Sequence, residues 1–309
     1  MSAAMSRQMK PLHSPHERDT KMKIRTLSAL AAIGLALAGI GSAAAATSWT
    51  LTGGGSETGA LAAGNTRSYT ASGNPLTVSA WSNTKNSTTA ADAYIQNAYL
   101  ASYSGGLGVT NRDGVSGAGD TYEGTIAQTS VPGHTLDNAL RYDSMLFDFG
   151  AGKSFQLKSV TVGWWQTDSD LTILAYTGTG TPTFTGSSAS QGYSSLLGSG
   201  WSVVKSSTGT TGTAHYANAA NGGVAQSSNA AGYKPLPVNE LNISARYWLV
   251  GALNTLVQAL PSGATLGAGN DYVKIAGVSG DFKGVPEPAG FMLLGVALAG
   301  LVVHRRRMA

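Results

Sequence analysis

Acidic and amide side chains gather in a few short, turn-rich stretches of this sequence. Asp113 lies in the stretch NRDGVSGAGD, and Asp137, Asn138 and Asp143 follow in a second stretch. Ca²⁺ binds about 6–8 hard oxygen atoms from carboxylates, amides and backbone carbonyls, which loops of this composition supply. We therefore predict one Ca²⁺ site built from Asp113, Asp137 and Asn138, with Asp143 as an additional ligand. EF-hand spacing is absent, and the competing interpretation is Asx-turns, in which Asp and Asn bond their own backbone.

A second pattern that could do chemistry is a pair of carboxylates, Asp168 and Asp170. They point to the same side of an extended chain, and glycoside hydrolysis needs two carboxyl groups about 5–10 Å apart, one with a raised pKa. The pair lies in a polar turn, however, and nothing marks either residue as buried. A Ser-His-Asp triad would need a nucleophile close to His134 or His215, and the sequence contains no Gly-x-Ser-x-Gly nucleophile elbow. We predict that the chain is not an enzyme, and polysaccharide hydrolysis is the weakest alternative function.

Two adjacent aromatic residues, Trp164 and Trp165, are candidates for stacking on sugar rings. Successive side chains of a strand point to opposite faces, so one of the two faces the core and the other does not. Packing is the competing interpretation for both. The pair makes a carbohydrate-binding module, with or without Ca²⁺, the main alternative to a structural or adhesive role.

The elements that must position these residues are strands. Val and aromatic residues are enriched in short alternating stretches, which are DSMLFDFG (143–150), SFQLKSVTVGWW (154–165), LTILAYTG (171–178), RYWLVGAL (246–253) and DYVKIAGV (271–278). The apolar alternation changes phase between Leu157 and Val160, which predicts a β-bulge. The second and third stretches are predicted to form a hairpin, and the last two a strand pair. We predict an all-β, jelly-roll-like β-sandwich over residues 47–278, followed by a linker over residues 279–284.

The charge distribution separates the ends of the chain from its body. The whole chain has a net charge of +4, but residues 47–285 hold 11 Lys and Arg against 13 Asp and Glu. A near-neutral body without a basic cluster argues against nucleic acid as a partner. The absence of Cys from the sequence excludes disulfides, a thiolate metal site and a Cys nucleophile.

Residues 1–46 carry a secretory signal peptide. MKIRTLSALAAIGLALAGIGSAAAA (22–46) has a basic start, an apolar segment and small residues at its end, which is the pattern that the Sec export machinery uses. Ala44 and Ala46 occupy the small-residue cleavage positions, so Thr47 is the predicted new N-terminus. The polar residues before Met22 are atypical of a signal peptide, which makes Met22 the alternative translation start.

The last residues, VPEPAGFMLLGVALAGLVVHRRRMA (285–309), combine a Pro-Glu-Pro triplet, an apolar stretch and three arginines. Residues 289–303 are 15 uncharged residues, and a bilayer span of about 17 residues is reached at about 288–304. We predict a single C-terminal transmembrane helix there, with the arginines held in the cytoplasm. The two prolines fix φ and lack N–H donors, so the triplet is stiff and accessible.

This C-terminal pattern resembles the PEP-CTERM sorting signal of Gram-negative bacteria. The residues that carry the resemblance are Val285, Pro286, Glu287, Pro288, Arg305, Arg306 and Arg307. The resemblance implies that an exosortase processes the chain, that the precursor is held transiently in the inner membrane, and that the product reaches the cell surface or extracellular matrix.

The body also resembles the exosortase-dependent surface proteins that carry such tails. The similar stretches are 104–114, 134–149, 160–178 and 246–253. This resemblance implies an exported protein associated with extracellular polysaccharide, and it implies no enzymatic activity and no certain cofactor.

Overall fold

The structure is a computed structural model. It describes residues 46–53, 64–84, 94–115, 134–167, 169–184, 192–204, 235–239, 241–257 and 270–283, together with Gly295, Leu298 and Arg305. Between residues 46 and 283 the described chain forms 14 β-strands, a short helix α1 (Arg112–Val115) and two 3₁₀ turns (Tyr193–Ser195 and Leu197–Ser199). The predicted all-β class is therefore confirmed.

The strands form two antiparallel sheets. The first sheet contains β1 (Thr47–Thr50), β5 (Tyr99–Tyr103), β6 (Gly106–Thr110), β7 (Leu136–Asp137), β9 (Phe155–Thr167), β12 (Pro235–Pro237) and β14 (Asp271–Phe282). The second sheet contains β2 (Thr66–Ala71), β3 (Asn74–Thr84), β4 (Tyr94–Asn97), β8 (Asp143–Asp148), β10 (Leu171–Tyr176), β11 (Trp201–Val203) and β13 (Tyr247–Ala252).

Strand β14 organises the first sheet. One edge of β14 pairs with β9 along its whole length. The other edge pairs with β7, β6 and β1 in turn. The order across this sheet is β12-β9-β14-β6-β5, and the order across the second is β11-β10-β13-β8-β3-β2.

The core lies between the two sheets. Val162 and Ile275 of the first sheet belong to the same buried cluster as Phe147 and Val250 of the second. Trp49 of β1 is 2% exposed and makes edge-to-face contacts with several phenylalanine rings. The face-to-face packing of two sheets over a shared apolar layer is a β-sandwich; the jelly-roll connectivity stays a prediction.

The central strands of the second sheet, β8, β10 and β13, are buried on both faces. A second apolar cluster on its outer side brings Leu146, Leu174 and Leu249 against Tyr193 and Trp201, which follow β10 in the chain. This covering explains why β8, β10 and β13 are nearly continuous apolar runs, whereas strands with one solvated face alternate.

The predicted phase change in β9 is a β-bulge. Ser159 pairs with Ser279 and Leu157 with Gly280, so Lys158 is the extra residue. The bulge returns Leu157 and Val160 to the same side, and both are buried in the core. This prediction is confirmed.

Three predictions about connectivity are wrong. Strands β9 and β10 lie in different sheets, as do β13 and β14, so neither pair is a hairpin. Residues 279–282 do not belong to a linker, because they continue β14 and pair with β9 and β1. In the first two cases local apolar patterning marked the strands correctly but carried no information about their hydrogen-bonding partners; in the third it ended the strand β14 too early.

The predicted transmembrane helix at about 288–304 falls almost entirely outside the described residues. Gly295, Leu298 and Arg305 are helical and exposed. Within the described part of the chain, no helix has the length and apolar character needed to span a bilayer.

Candidate functional site

The structure distinguishes between Trp164 and Trp165. Trp165 pairs with Val273 and packs against the core, whereas Trp164 pairs with Lys274 on the outer face of the first sheet. A second bulge at Gly163 precedes them, because Trp164 pairs with Lys274 while Val162 pairs with Ile275.

Gly163 and Gly105 allow this outer face to be closely packed. A Cβ atom on Gly163 would lie 2.3 Å from the backbone oxygen of Gly105, and one on Gly105 would lie 2.6 Å from Cβ of Trp164. Distances this short exclude a side chain at either glycine. The turn between β5 and β6 therefore lies directly on β9 and limits where the Trp164 side chain can go.

Lys274 lies between two aromatic rings. Its Nζ atom is 4.0 Å from the centroid of the Tyr103 ring and 5.2 Å from that of the Trp164 ring. Both distances are within the range of cation–π attraction. We call Tyr103, His134, Trp164 and Lys274 the aromatic cluster; all four residues are half-buried.

His134 completes this cluster beside Tyr103. The two rings are nearly parallel, with centroids 6.1 Å apart and planes inclined by 12°. Nδ1 of His134 is hydrogen-bonded to the Thr110 hydroxyl at 2.9 Å. Burial lowers the pKa of His134 below its ordinary value of 6.5, and the nearby Lys274 ammonium lowers it further. His134 is therefore neutral at neutral pH, and Lys274 carries the charge of the cluster.

The aromatic cluster places ring faces beside one charged group. Aromatic side chains offer large, rigid contact surfaces with an apolar face, and the ammonium adds a charged hydrogen-bond donor. Thr110, whose hydroxyl is hydrogen-bonded to His134, is buried at 2% exposure.

The predicted Ca²⁺ ligand Asp113 forms a buried ion pair. Its Oδ2 atom lies 2.7 Å from Nε of Arg141, and both side chains are only 1% exposed. The guanidinium supplies the positive charge that this carboxylate needs in the protein interior.

Asp137 and Asn138, the next two predicted ligands, have separate roles. Asp137 accepts a hydrogen bond from the backbone N–H of Ala139 at 3.0 Å, which is an Asx-turn. Asn138 and Asp271 bond reciprocally: the Asn138 amide donates to Oδ2 of Asp271 at 2.6 Å and accepts from its backbone N–H at 2.8 Å.

Asp143, the fourth predicted ligand, begins β8 and is 1% exposed. Among the described residues, no group of three or more His, Asp or Glu side chains is arranged to hold a metal ion. The Ca²⁺ site therefore stays a prediction without supporting geometry.

The residues considered for hydrolysis are only partly described. Asp168 and His215 lie outside the described residues. Asp170 is fully buried, and its backbone N–H donates to Oδ1 of Asp271 at 2.6 Å. This position makes Asp170 part of the interior network rather than of an open cleft.

The predicted processing sites flank the described body. Thr47 begins β1 and is 4% exposed, and Ala46 just before it is exposed. Ala44, the tetrapeptide 285–288 and residues 306–307 lie outside the described residues, and Arg305 is helical.

Sequence reasoning missed Tyr103, Lys274 and Arg141. Lys274 had a usable signal, because it is the one basic residue within the otherwise mostly apolar strand DYVKIAGV, and a charge in the middle of a strand suggests a specific contact. Tyr103 and Arg141 had none, since their contacts join residues far apart in the chain.

Comparison with known families identifies the C-terminal segment. Residues 284–307 match the family model of the PEP-CTERM protein-sorting motif. No curated protein and no solved structure matches the chain. The motif confirms the predicted sorting signal, and it marks the chain as an exported protein that is anchored as a membrane precursor and processed by an exosortase.

Proposed function

We propose that the chain is a structural or adhesive protein of the Gram-negative cell surface or extracellular matrix, without enzymatic activity. In this proposal the Sec machinery exports it, the inner membrane holds it transiently, and cleavage near residues 285–288 releases it. The observation that carries the proposal is the sorting motif at residues 284–307, directly behind a β-sandwich whose last strand ends at Phe282.

The body supports this assignment by its construction. The central strands of the second sheet are buried on both faces and the interior holds hydrogen-bonded carboxylates, which suits a durable scaffold. A chain of this size can bury a core large enough to stabilise two sheets without a disulfide.

Mass spectrometry of both ends of the mature protein tests the proposal. In cells with the processing enzyme we expect an N-terminus at Thr47 and a C-terminus that lacks Arg305–Arg307. In cells without that enzyme the tail should remain and the protein should stay in the inner membrane. An intact tail on protein recovered from the surface of normal cells would refute the sorting pathway.

Carbohydrate binding is the second candidate function. The specific observation that favours it is Trp164, which lies on the outer face of the first sheet beside Tyr103 and Lys274. A glycan array probed with the mature protein separates the two candidates. Binding that is lost in Trp164→Ala supports a carbohydrate-binding module, whereas a blank array leaves the structural role.

A further inference from the structure

We propose that a pocket on the outer side of the second sheet binds one neutral sugar ring, as found at an end or a side branch of an uncharged polysaccharide. The pocket, which we call the outer pocket, has a volume of about 110 Å³. Its lining includes three aromatic and three hydroxyl side chains, which belong to Tyr176, Phe184, Trp201, Thr181, Thr183 and Ser199. The inference extends the carbohydrate-binding candidate to a second site, separate from the aromatic cluster on the first sheet.

The size of the outer pocket limits its ligand to one ring. A cavity of about 10–15 Å³ already holds a water molecule, and pockets for drug-sized ligands measure about 300–1,000 Å³. The outer pocket, at about 110 Å³, lies between these limits. It therefore has room for one small molecule or one sugar unit, and not for a bound stretch of several sugars.

The aromatic part of the lining forms one continuous apolar wall. The centroid of the Trp201 ring lies 5.3 Å from that of Tyr176 and 5.9 Å from that of Phe184. Because the three rings are packed against one another, they offer a shared surface and not separate stacking platforms. A sugar ring has an apolar C–H face, which suits contact with an aromatic surface of this kind.

Two hydroxyl groups of the lining have opposite hydrogen-bonding capacities. Oγ of Ser199 donates its hydrogen to the backbone oxygen of Ser195 at 2.9 Å, so it keeps its capacity to accept. Oγ1 of Thr181 accepts from the Tyr247 hydroxyl at 3.2 Å. Among the described residues the hydrogen of the Thr181 hydroxyl has no acceptor, so it can be donated to a ligand. Sugar hydroxyls both donate and accept, and they can therefore bond both groups.

The absence of charge from the described lining of the outer pocket favours a neutral ligand. All of these lining residues have aromatic, aliphatic or hydroxyl side chains. A charged ligand would lose water on entering without gaining an opposite charge, which is costly. A neutral sugar loses less, because the protein hydroxyls replace part of its hydrogen bonds to water.

The wall at Tyr176 is fixed before a ligand binds. The Tyr176 hydroxyl donates to the backbone oxygen of Thr179 at 3.0 Å. The backbone N–H groups of Thr177 and Gly178 both donate to the oxygen of Gly200, which ties this loop to the start of β11. A Cβ atom on Gly178 would lie 2.8 Å from the Tyr176 ring, so glycine permits this close packing. A preformed pocket lowers the entropic cost of binding.

Saturation-transfer difference NMR on the mature protein tests the inference, because it detects weak ligands. The probes are the methyl glycosides of glucose, galactose and mannose, each compared with the methyl glycoside of the corresponding uronic acid. The two members of a pair share the ring and differ in one carboxylate. We expect at least one neutral glycoside to bind, and its uronic acid counterpart to bind about tenfold more weakly, because its charge is desolvated without compensation.

Two variants with matched controls locate the binding. Ser199→Trp fills the pocket from an exposed position and should abolish binding, whereas Leu197→Trp, at a residue 41% exposed and outside the lining, should retain it. Thr181→Val keeps the shape of the side chain but removes its hydroxyl, and it should weaken binding about fivefold, as the loss of one hydrogen bond implies. Thr179→Val, in the same loop but outside the lining, should bind as the native protein does. Thermal unfolding checks that each variant is folded.

Each other outcome contradicts the inference in its own way. Uronic acid glycosides that bind as tightly as the neutral ones would refute the neutral ligand. Glycan binding that survives Ser199→Trp but is lost in Trp164→Ala would assign it to the aromatic cluster and refute the outer pocket. No binding of these glycosides, together with a glycan array that shows no neutral ligand, would refute a sugar site in the outer pocket and leave the structural role. Binding of indole alone, lost in Ser199→Trp, would assign the pocket to an aromatic ligand.

Discussion

Thr47 and Gly280 are paired residues in the antiparallel ladder of β1 and β14. Thr47 is the predicted first residue after signal-peptide removal, and Val285 lies five residues beyond Gly280. An extended chain spans at most about 3.6 Å per residue, so the predicted N-terminal and C-terminal cleavage sites both lie within a short distance of one ladder. The predicted first residue of the mature protein is therefore held in the ladder of the central strand β14.

The first prediction concerns Trp49, which secures β1 in the core. Trp49→Ala should lower the free energy of unfolding by about 3–5 kcal/mol, because it leaves a large cavity among the phenylalanine rings. It also removes the hydrogen bond from the indole N–H to the carbonyl of Asn74, which measures 3.2 Å. Urea unfolding of the mature protein gives the measurement. Thr50→Ala, at an exposed position of the same strand, is the control, and equal losses in both variants would contradict the assigned packing.

The second prediction concerns the ion pair of Asp113 and Arg141. Arg141→Met should destabilise the protein by about 3–5 kcal/mol, because it leaves a buried carboxylate without its guanidinium. Arg246→Met is the matched control, since Arg246 forms a two-bond pair with Asp148 while 32% exposed; water can reach the carboxylate left behind, so this variant should lose less stability than Arg141→Met.

A double variant separates charge from packing at the same site. Asp113→Leu combined with Arg141→Met removes both charges, and it should be more stable than Arg141→Met alone. The opposite order of stabilities would show that lost packing, and not an unpaired charge, dominates.

The third prediction concerns the bulge at Gly163. Gly163→Ala should cost about 1–3 kcal/mol, as overpacking does, because the new Cβ would lie 2.3 Å from the backbone oxygen of Gly105. Gly198→Ala meets open space and should unfold like the native protein. Thermal unfolding compares the two, and a neutral Gly163→Ala would mean that the β5–β6 turn does not lie on β9.

The fourth prediction concerns the pH dependence of stability caused by His134. Its pKa is lowered in the folded protein by burial and by Lys274, so the unfolded chain binds a proton more readily. Stability should therefore fall as the pH drops below the unfolded value of 6.5 toward the folded pKa. His134→Asn should reduce this loss; the backbone there has a φ of 67°, which Asn tolerates better than most residues. The measurement is the midpoint of urea unfolding across this pH range in the native protein and in His134→Asn. An equal change of the midpoint with pH in both proteins would contradict the prediction.

The fifth prediction separates the two interpretations of Asp137. Asp137→Asn keeps an oxygen that accepts from Ala139, so under the Asx-turn interpretation the melting temperature should change little, with or without millimolar Ca²⁺. A ligand that binds only the folded state raises that temperature. A Ca²⁺-dependent increase in the native protein that disappears in Asp137→Asn would instead establish the calcium site.

Local pattern predicted the strands of this fold well. The stretches at 143–150 and 154–165 are strands, and the phase change between Leu157 and Val160 is a bulge at Lys158. Alternation reports which side chains share a face, and that is a property of neighbouring residues. The predicted hairpin and the predicted strand pair were wrong because the choice of a partner strand is a non-local property: β9 pairs with β14, more than 100 residues later in the chain.

The candidate site was only partly predictable. Adjacency alone required Trp164 and Trp165 to face opposite ways, but the register with Val273 and Lys274 decided which one lies on the outer face. Tyr103, His134 and Lys274 lie on three separate segments, and only the order of strands in the first sheet brings their side chains together.

The sequence by itself determined that this protein carries an export-linked sorting signal and that its fold is all-β. The sorting motif could be recognised because it is one continuous peptide. The strands could be recognised because successive side chains of a strand point to opposite faces, so that apolar residues recur at every second position. The tertiary structure alone decided which carboxylate meets Arg141, where Trp164 points and that Thr47 pairs with Gly280 of β14. These features depend on hydrogen bonds and contacts between distant segments, and such contacts form only when the two sheets pair and pack.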